Sequence, residues 1–204
     1  MHDLGFVHEF IPATGGSARV LLLLHGTGGD ESDLIPLARD LDPAAALLSP
    51  RGNVLENGMP RFFRRFAEGV FDEEDVIRRA NELADFVAAA AAKYDFDILR
   101  VTAVGYSNGA NIAAAMMLLR PEVLHSAVLF RAMATLTNPP VPDLSGKRIL
   151  LSAGDNDPII PLANVRSLAA LLQQSGADVH LEIQTAGHRL IAEDVAVARV
   201  WMLS

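Results

Sequence analysis

The stretch that decides the fold is residues 98–111, which read ILRVTAVGYSNGAN. An apolar run over 98–104 has the length of a buried strand, and the residues after the turn suit a helix. Gly105, Ser107 and Gly109 lie between the two and form the pattern G-x-S-x-G. In this strand, turn and helix context the pattern predicts a sharp turn that exposes the serine hydroxyl above a sheet.

The spacing of this turn has a physical reason. Residues two before and two after the serine must be small, because a larger side chain would clash in so tight a turn. The helix that follows points its partial positive end at the place where an oxyanion would form. Ser107 is therefore the candidate nucleophile.

A serine hydroxyl needs a base to take its proton, and the base needs an acid to orient it. Downstream of Ser107, the turn AGDNDP follows one apolar run and the turn AGH follows the next. Both turns come just after a predicted strand, so their side chains are expected beside the nucleophile. His188 is the well-placed histidine. The spacing leaves Asp155 and Asp157 both open, and we favour Asp157 as the acid, with Asp155 capping backbone amides.

A glycine-rich turn, LHGTGGD, ends the first long apolar run at residues 24–30. A backbone amide of this turn can face the site, and the amide after the nucleophile would be the second donor. We therefore expect an oxyanion hole made by the N–H groups of Thr27 and Asn108. A phosphate cradle is a poor alternative, because the turn lacks both the GK[ST] ending and the G-x-G-x-x-G spacing. His25 fits no strong metal pattern and is interpreted as part of the turn.

Other apolar runs repeat the alternation of strand and helix. The strand-like runs are 19–24, 45–48, 126–130, 148–152 and 179–183, with 6–11 as a further edge strand; the helix-like stretches are 31–41, 73–94, 108–119, 162–175 and 192–203. Most runs are apolar throughout, as in parallel strands buried on both faces, whereas 179–183 alternates and belongs near the sheet edge. The pattern predicts an α/β fold: one α/β-hydrolase domain over residues 1–204, a mostly parallel central sheet flanked by helices, and no separate lid domain.

One segment has neither the strand pattern nor the helix pattern. Residues 51–71, RGNVLENGMPRFFRRFAEGVF, mix turn residues, aromatics and arginines after a predicted strand. Because loops beyond the carboxyl ends of strands line the ligand crevice, we expect this segment to form a wall of the substrate pocket. The alternative is that its phenylalanines fill the core beneath a long loop. The candidate substrate contacts are Arg51, Phe62, Phe63, Phe66 and, beyond another strand end, Met133.

Composition narrows the classes of function. A net charge of −8 argues against a nucleic-acid partner, and the absence of cysteine excludes disulfides, thiolate metal sites and a cysteine nucleophile. No stretch has the pattern of a leader peptide or the length of a membrane span, so we expect a cytoplasmic protein with no membrane partner. No cofactor and no metal are expected. The candidate nucleophile and its base indicate instead a small-molecule partner with an acyl bond, namely an ester, and the notion of a homodimer stays open.

The strings LHGTGGD, GYSNGAN, AGDNDPIIP and AGH together resemble the phospholipase/carboxylesterase family of α/β hydrolases, which includes acyl-protein thioesterases. The resemblance spans nearly the whole chain and looks closer to a bacterial carboxylesterase subgroup linked to hydroquinone resistance. It implies Ser107 as nucleophile, Asp157 as acid, His188 as base and Thr27 as an oxyanion donor. The stretch FRAMAT at 130–135 departs from the family pattern and bears on acyl or alcohol specificity.

The sequence thus predicts a serine hydrolase that cleaves carboxylic esters of small or aromatic substrates through an acyl-enzyme. A thioesterase or lysophospholipase would use the same machinery, and a non-catalytic binding protein of this fold is the rival from another class. A dehalogenase would carry aspartate at the elbow and a dienelactone hydrolase usually cysteine, so Ser107 argues against both.

Overall fold

The computed structural model describes residues 4–204. The strands in chain order are β1 (His8–Ile11), β2 (Val20–Leu24), β3 (Ala46–Pro50), β4 (Val54–Glu56), β5 (Met59–Arg61), β6 (Arg65–Ala67), β7 (Val70–Phe71), β8 (Val101–Tyr106), β9 (Ser126–Phe130), β10 (Arg148–Gly154) and β11 (Asp178–Gln184). The α-helices are α1 (Ile35–Leu41), α2 (Glu73–Tyr94), α3 (Asn108–Leu119), α4 (Leu162–Gln174) and α5 (Ala192–Leu203).

A seven-stranded sheet in the order β1-β3-β2-β8-β9-β10-β11 forms the centre of the molecule. All neighbours in it are parallel except β1, which pairs antiparallel with β3 at one edge. The interior strands are buried along their length, as continuous apolar runs require. At the other edge β11 alternates between more and less exposed side chains over 178–181, as predicted, but the alternation is wrong beyond Leu181, because Ile183 is exposed while Glu182 and Gln184 are half-buried.

Helices cover both faces of this sheet and create two apolar layers. In β2, Leu22 and Leu24 face the layer that contains α2, α3 and α4, whereas Leu21 and Leu23 face the layer that contains α1 and α5. This alternation follows from the two-residue period of a strand. Helix α3 is buried almost throughout, because it lies over the middle of the sheet. The single-domain α/β-hydrolase fold predicted from the sequence is therefore confirmed.

Several element boundaries differ from prediction by one to a few residues, and two of the differences have clear local reasons. Residues 98–100 form a 3₁₀ turn rather than the start of β8, because the Asp97 side chain accepts a hydrogen bond from the Leu99 amide. Helix α1 begins at Ile35 rather than Glu31, because Asp30 accepts hydrogen bonds from both the amide and the hydroxyl of Ser32 and holds the chain in a turn. Neither difference moves the elbow at the end of β8.

The segment over residues 51–71 folds into two short hairpins, β4 with β5 and β6 with β7. Both lie between β3 and α2 in the chain, at the end of the sheet that carries the Ser107 turn. Across residues 4–204, no helix has the length and apolar character needed to cross a bilayer.

Candidate active site

The turn between β8 and α3 holds Ser107 in a backbone conformation that non-glycine residues rarely adopt, with φ 52° and ψ −113°. Two glycines make this turn possible. A Cβ on Gly109 would overlap the carbonyl group of Leu24, and one on Gly105 would lie 2.7 Å from the amide nitrogen of Ala110. The turn therefore presents Ser107 to a cavity at the carboxyl end of the sheet.

Three side chains from different strand ends form one hydrogen-bonded chain at this cavity. Nε2 of His188 lies 2.9 Å from Oγ of Ser107, and Nδ1 of His188 lies 2.8 Å from Oδ2 of Asp157. The carboxylate favours the tautomer with the proton on Nδ1, which leaves Nε2 as the acceptor for the serine hydroxyl. The side chain of Asp157 is 1% exposed and that of His188 is 17% exposed. The arrangement can take a proton from Ser107 and stabilise the imidazolium that results.

The two aspartates of the AGDNDP turn have different partners. Asp157 contacts the imidazole through Oδ2, and its Oδ1 accepts hydrogen bonds from the amides of Ile159 at 2.8 Å and Ile160 at 3.1 Å. Asp155 accepts from the side chains of Asn156 and Thr185 instead. The expectation that Asp155 caps backbone amides is thus corrected: Asp157 caps the turn and orients the imidazole at once.

Two backbone amides beside Ser107 have no acceptor in the described chain. Within residues 4–204 the N–H groups of Thr27 and Asn108 donate no hydrogen bond, and both residues line the cavity. The next amides of the glycine-rich turn are used, since Gly28 donates to the Pro60 carbonyl at 2.9 Å. Asn108 opens α3, where helix amides lack an intrahelical partner. Two unused donors beside a candidate nucleophile can stabilise an oxyanion.

The side chain of Thr27 is held by Arg61, a residue that the sequence analysis did not single out. The Arg61 side chain is 3% exposed, and its Nη1 donates to the Thr27 hydroxyl at 2.7 Å and lies 3.1 Å from the Glu56 carboxylate. Burial, and then the nearby charge of Arg65, lower the pKa of Arg61. The mixture of arginine and phenylalanine marked this segment, but only the pairing of β4 with β5 brings this one arginine to the oxyanion turn.

The cavity beside Ser107 has a volume of ≈ 260 Å³ and walls of mixed polarity. Arg61 and Arg65 lie on one side, both within 3.1 Å of Glu56. Phe71, Met133 and Ile160 supply apolar surface. Met133 therefore lies where the sequence analysis expected it.

The structure corrects the assignment of four other residues to the cavity wall. Phe62 and Phe63 are 2% and 0% exposed and belong to the main apolar cluster, as the alternative interpretation held, whereas Phe66 is 75% exposed. Arg51 binds Glu31 through hydrogen bonds of 2.5 and 2.7 Å. None of the four lines the cavity. The hairpins bury the first two rings and turn the third outward. The segment still forms a wall of the cavity, as predicted, but through Arg61, Arg65, Glu68, Gly69 and Phe71.

The side chain of Asn108 joins this segment to the elbow. Its Oδ1 accepts a hydrogen bond from the Phe62 amide at 2.7 Å, and its Nδ2 is buried without a partner in residues 4–204. Further along α3, Oδ1 of Asn111 accepts from the Met133 amide at 2.8 Å. Two asparagines of one helix thus fix the loops on either side of the cavity.

His25 contributes structure to the glycine-rich turn. Its Nδ1 donates to the Gly26 carbonyl at 2.6 Å, and its Nε2 accepts from the Gly52 amide at 2.9 Å. Burial lowers the pKa of His25, which favours the neutral imidazole that these two bonds require. The interpretation of His25 as part of the turn agrees with these contacts.

Comparison with known proteins shows the family of the chain. The Phospholipase/Carboxylesterase family model matches residues 8–201. The chain is 47% identical over 187 residues to the putative hydrolase MhqD of Bacillus subtilis (strain 168), with 92% of this chain and 94% of that protein covered. Its structure resembles the Bacillus cereus carboxylesterase, with a TM-score of 0.93 and 48% identity over 95% of this chain and 91% of that one. It also resembles the carboxylesterase from Mesorhizobium loti, with a TM-score of 0.94 and 35% identity over 100% of this chain and 97% of that one. The resemblance found in the sequence is confirmed: the chain belongs to the phospholipase/carboxylesterase family of α/β hydrolases.

Proposed function

We propose that this protein is a serine hydrolase that cleaves carboxylic esters of small or aromatic substrates through an acyl-enzyme. The observation that carries the proposal is the continuous hydrogen-bonded chain from Ser107 through His188 to Asp157, at a strained elbow with two unused amides beside it. Family membership and the esterases among its structural relatives support ester hydrolysis.

In the proposed mechanism Ser107 attacks the carbonyl carbon of the ester while Nε2 of His188 accepts the hydroxyl proton. The amides of Thr27 and Asn108 stabilise the oxyanion of the tetrahedral intermediate. His188 then gives the proton to the leaving alcohol, and the ester bond breaks to leave an acyl-serine. A water molecule, deprotonated by the same imidazole, hydrolyses the acyl-serine and releases the acid. Asp157 keeps the imidazole in its working tautomer throughout.

The size of the cavity supports small substrates. Its ≈ 260 Å³ is below the range of about 300–1,000 Å³ typical of sites for drug-sized ligands. Phe71 and Met133 give it apolar surface for a short acyl chain or a ring, while Arg61 and Arg65 limit the apolar area. We therefore expect the catalytic efficiency kcat/KM to fall from acetate and butyrate to octanoate esters. An enzyme that prefers octanoate would contradict the substrate part of the proposal.

The test of the mechanism compares Ser107→Ala with Ser167→Ala on a nitrophenyl acetate. Ser167 lies exposed on α4, and its hydroxyl donates to the Ala163 carbonyl, so its loss is a matched control. We expect Ser107→Ala to lose turnover and covalent labelling by a fluorophosphonate, while the control keeps both. Labelling of Ser107→Ala at the wild-type rate would overturn the assignment of the nucleophile. A wild type that is neither labelled nor active would favour the non-catalytic alternative.

The same machinery would cleave a thioester. A pair of substrates with one acyl group, one an oxygen ester and the other a thioester, separates the two activities by the ratio of their kcat/KM values. We expect the oxygen ester to be favoured when the ratio is corrected for the uncatalysed hydrolysis rates. A corrected ratio that favours the thioester would assign the chain to the thioesterase branch of the proposal.

A further inference from the structure

A buried arginine follows β9 beside the loop that carries His188. The Arg131 side chain is 0% exposed, and its backbone adopts a positive φ of 56°. Its amide donates to the Ser152 carbonyl at 2.8 Å, while the preceding residue, Phe130, accepts a hydrogen bond from the amide of Ser107 at 2.9 Å. The residue is therefore fixed between the nucleophile turn and β10.

The charge of Arg131 is matched by one buried carboxylate. Nη1 and Nη2 of Arg131 donate to the two oxygens of Asp194 at 2.9 and 2.7 Å, and both side chains are fully buried. Asp194 also accepts from the Ser152 hydroxyl at 2.5 Å and from the Ile191 amide at 2.9 Å. The carboxylate is thus saturated with donors, which fixes the guanidinium plane.

The guanidinium of Arg131 uses its other donors on the peptide groups around His188. Nε donates to the carbonyl of Gly187 at 3.0 Å, and Nη2 donates to the carbonyl of Arg189 at 3.1 Å. The carbonyl of His188 itself accepts from the Tyr106 hydroxyl at 3.2 Å, and burial raises the pKa of that hydroxyl, so it stays a donor. Three successive carbonyls of the loop are therefore held by two side chains.

We propose that Arg131 is a positioning residue for the imidazole of His188. Its planar guanidinium, oriented by Asp194, holds the carbonyls on both sides of the histidine and so fixes the backbone from which the imidazole reaches Ser107. Proton transfer depends steeply on the distance between Nε2 of His188 and Oγ of Ser107. A misplacement of about 1 Å can lower a rate about 100-fold. The stretch FRAMAT at 130–135 therefore acts on the catalytic base through Arg131, and on the cavity through Met133.

This inference rests on the proposed function, and its test separates geometry from stability. Replacing Arg131 alone would leave Asp194 buried and unpaired, so the informative variant is Arg131→Met combined with Asp194→Asn. That pair removes both charges and keeps an acceptor at position 194, and removal of a whole buried ion pair is often tolerated. We expect it to stay folded, with kcat on a nitrophenyl acetate lowered about 100-fold and KM within about threefold of wild type.

Arg131→Lys is the second variant. Lysine keeps a positive charge for Asp194, but its single ammonium lacks the planar fork that bonds two carbonyls and a carboxylate together. We expect it to stay folded with kcat lowered at least about tenfold, which a role in charge pairing alone would not produce. Should the double variant fail to fold, the kcat of Arg131→Lys decides the question.

The control for the chemistry of the substitutions is Arg19→Met with Asp42→Asn, at a partly exposed ion pair of 3.0 Å near the opposite end of the sheet. Arg19 also donates to a backbone carbonyl, that of Met202 at 3.0 Å. This control should keep the wild-type kcat. A folded Arg131 variant with wild-type kcat, or a control that loses as much kcat, overturns the positioning role. Wild-type activity that survives Ser107→Ala would instead overturn the proposed function.

Discussion

Replacement of Asp157 by asparagine should remove most of the activity by reversing the tautomer of His188. In the structure Oδ1 of Asp157 accepts from the amides of Ile159 and Ile160, while Oδ2 faces Nδ1 of the imidazole. The two amides require an oxygen at the first position, so an asparagine must turn its NH₂ group towards Nδ1. Nδ1 then becomes an acceptor, and the proton moves to Nε2, where it blocks the acceptance of the serine proton.

The expected magnitude follows from that geometry. In a well-studied serine protease the same substitution lowers kcat about 10⁴-fold through the wrong tautomer. A 10⁴-fold loss corresponds to about 5.4 kcal/mol of transition-state stabilisation. We expect a loss of that order in kcat for Asp157→Asn, with KM little changed and with the turn intact, because both hydrogen bonds from the amides survive.

The assay is steady-state hydrolysis of a nitrophenyl acetate, with thermal unfolding recorded for each variant. Asp155→Asn is the matched control, since Asp155 lies in the same turn but its carboxylate accepts from the side chains of Asn156 and Thr185 and not from the imidazole. It should retain kcat within about twofold, because surface substitutions of this kind change little. If Asp155→Asn proves the more damaging change in a folded protein, or if Asp157→Asn loses less than tenfold, the reasoning is refuted.

Three further outcomes can be checked. Phe63→Ala should lower the free energy of unfolding by about 3–5 kcal/mol, because its ring is fully buried. Phe66→Ala should change neither stability nor the ranking of ester substrates, because that ring is exposed; a changed ranking would show that Phe66 contacts the substrate. Thr27→Val loses the hydrogen bond from Arg61 but keeps the backbone amide, so it should lower kcat about tenfold, less than the 10²–10³ typical of a lost oxyanion donor. Thr27→Ser keeps the hydroxyl and should have the wild-type kcat. Equal kcat for the two variants would contradict a role for the Arg61 hydrogen bond. Burial opposes ionisation of Asp194, but hydrogen bonds hold its pKa below 3.8. Its contribution to the free energy of unfolding is therefore present above that value and is lost as pH falls through the folded pKa. The melting temperature should drop on acidification below about pH 3.8, less steeply for Arg131→Met combined with Asp194→Asn, which leaves no buried charge unpaired; identical acid profiles would contradict this.

The amino-acid sequence determined the features that depend on local physics. A G-x-S-x-G turn between an apolar run and a helix allows few conformations, because Gly105 and Gly109 lie where a Cβ would collide with backbone. Continuous apolar runs required strands buried on both faces, and helices α2, α3 and α5 begin and end at the predicted residues. The positions of the nucleophile, acid and base along the chain could likewise be predicted, since each follows the carboxyl end of a strand.

Tertiary structure alone decided which side chains of the irregular segments face the cavity. Phe62, Phe63 and Phe66 look alike in a short run of aromatics and arginines, yet two are buried and one is exposed. The difference depends on contacts distant in sequence, such as the bond from the Phe62 amide to Asn108 across 46 residues. No local periodicity encodes such a contact.

The role inferred for Arg131 has the same origin. Nothing near it in the sequence indicates a buried arginine, and its partners lie far along the chain at Gly187, Arg189 and Asp194. A charged side chain can be buried only where several distant groups meet to satisfy its donors. That meeting is a property of the assembled sheet, in which β9, β10 and the loop after β11 converge, and not of any stretch of sequence.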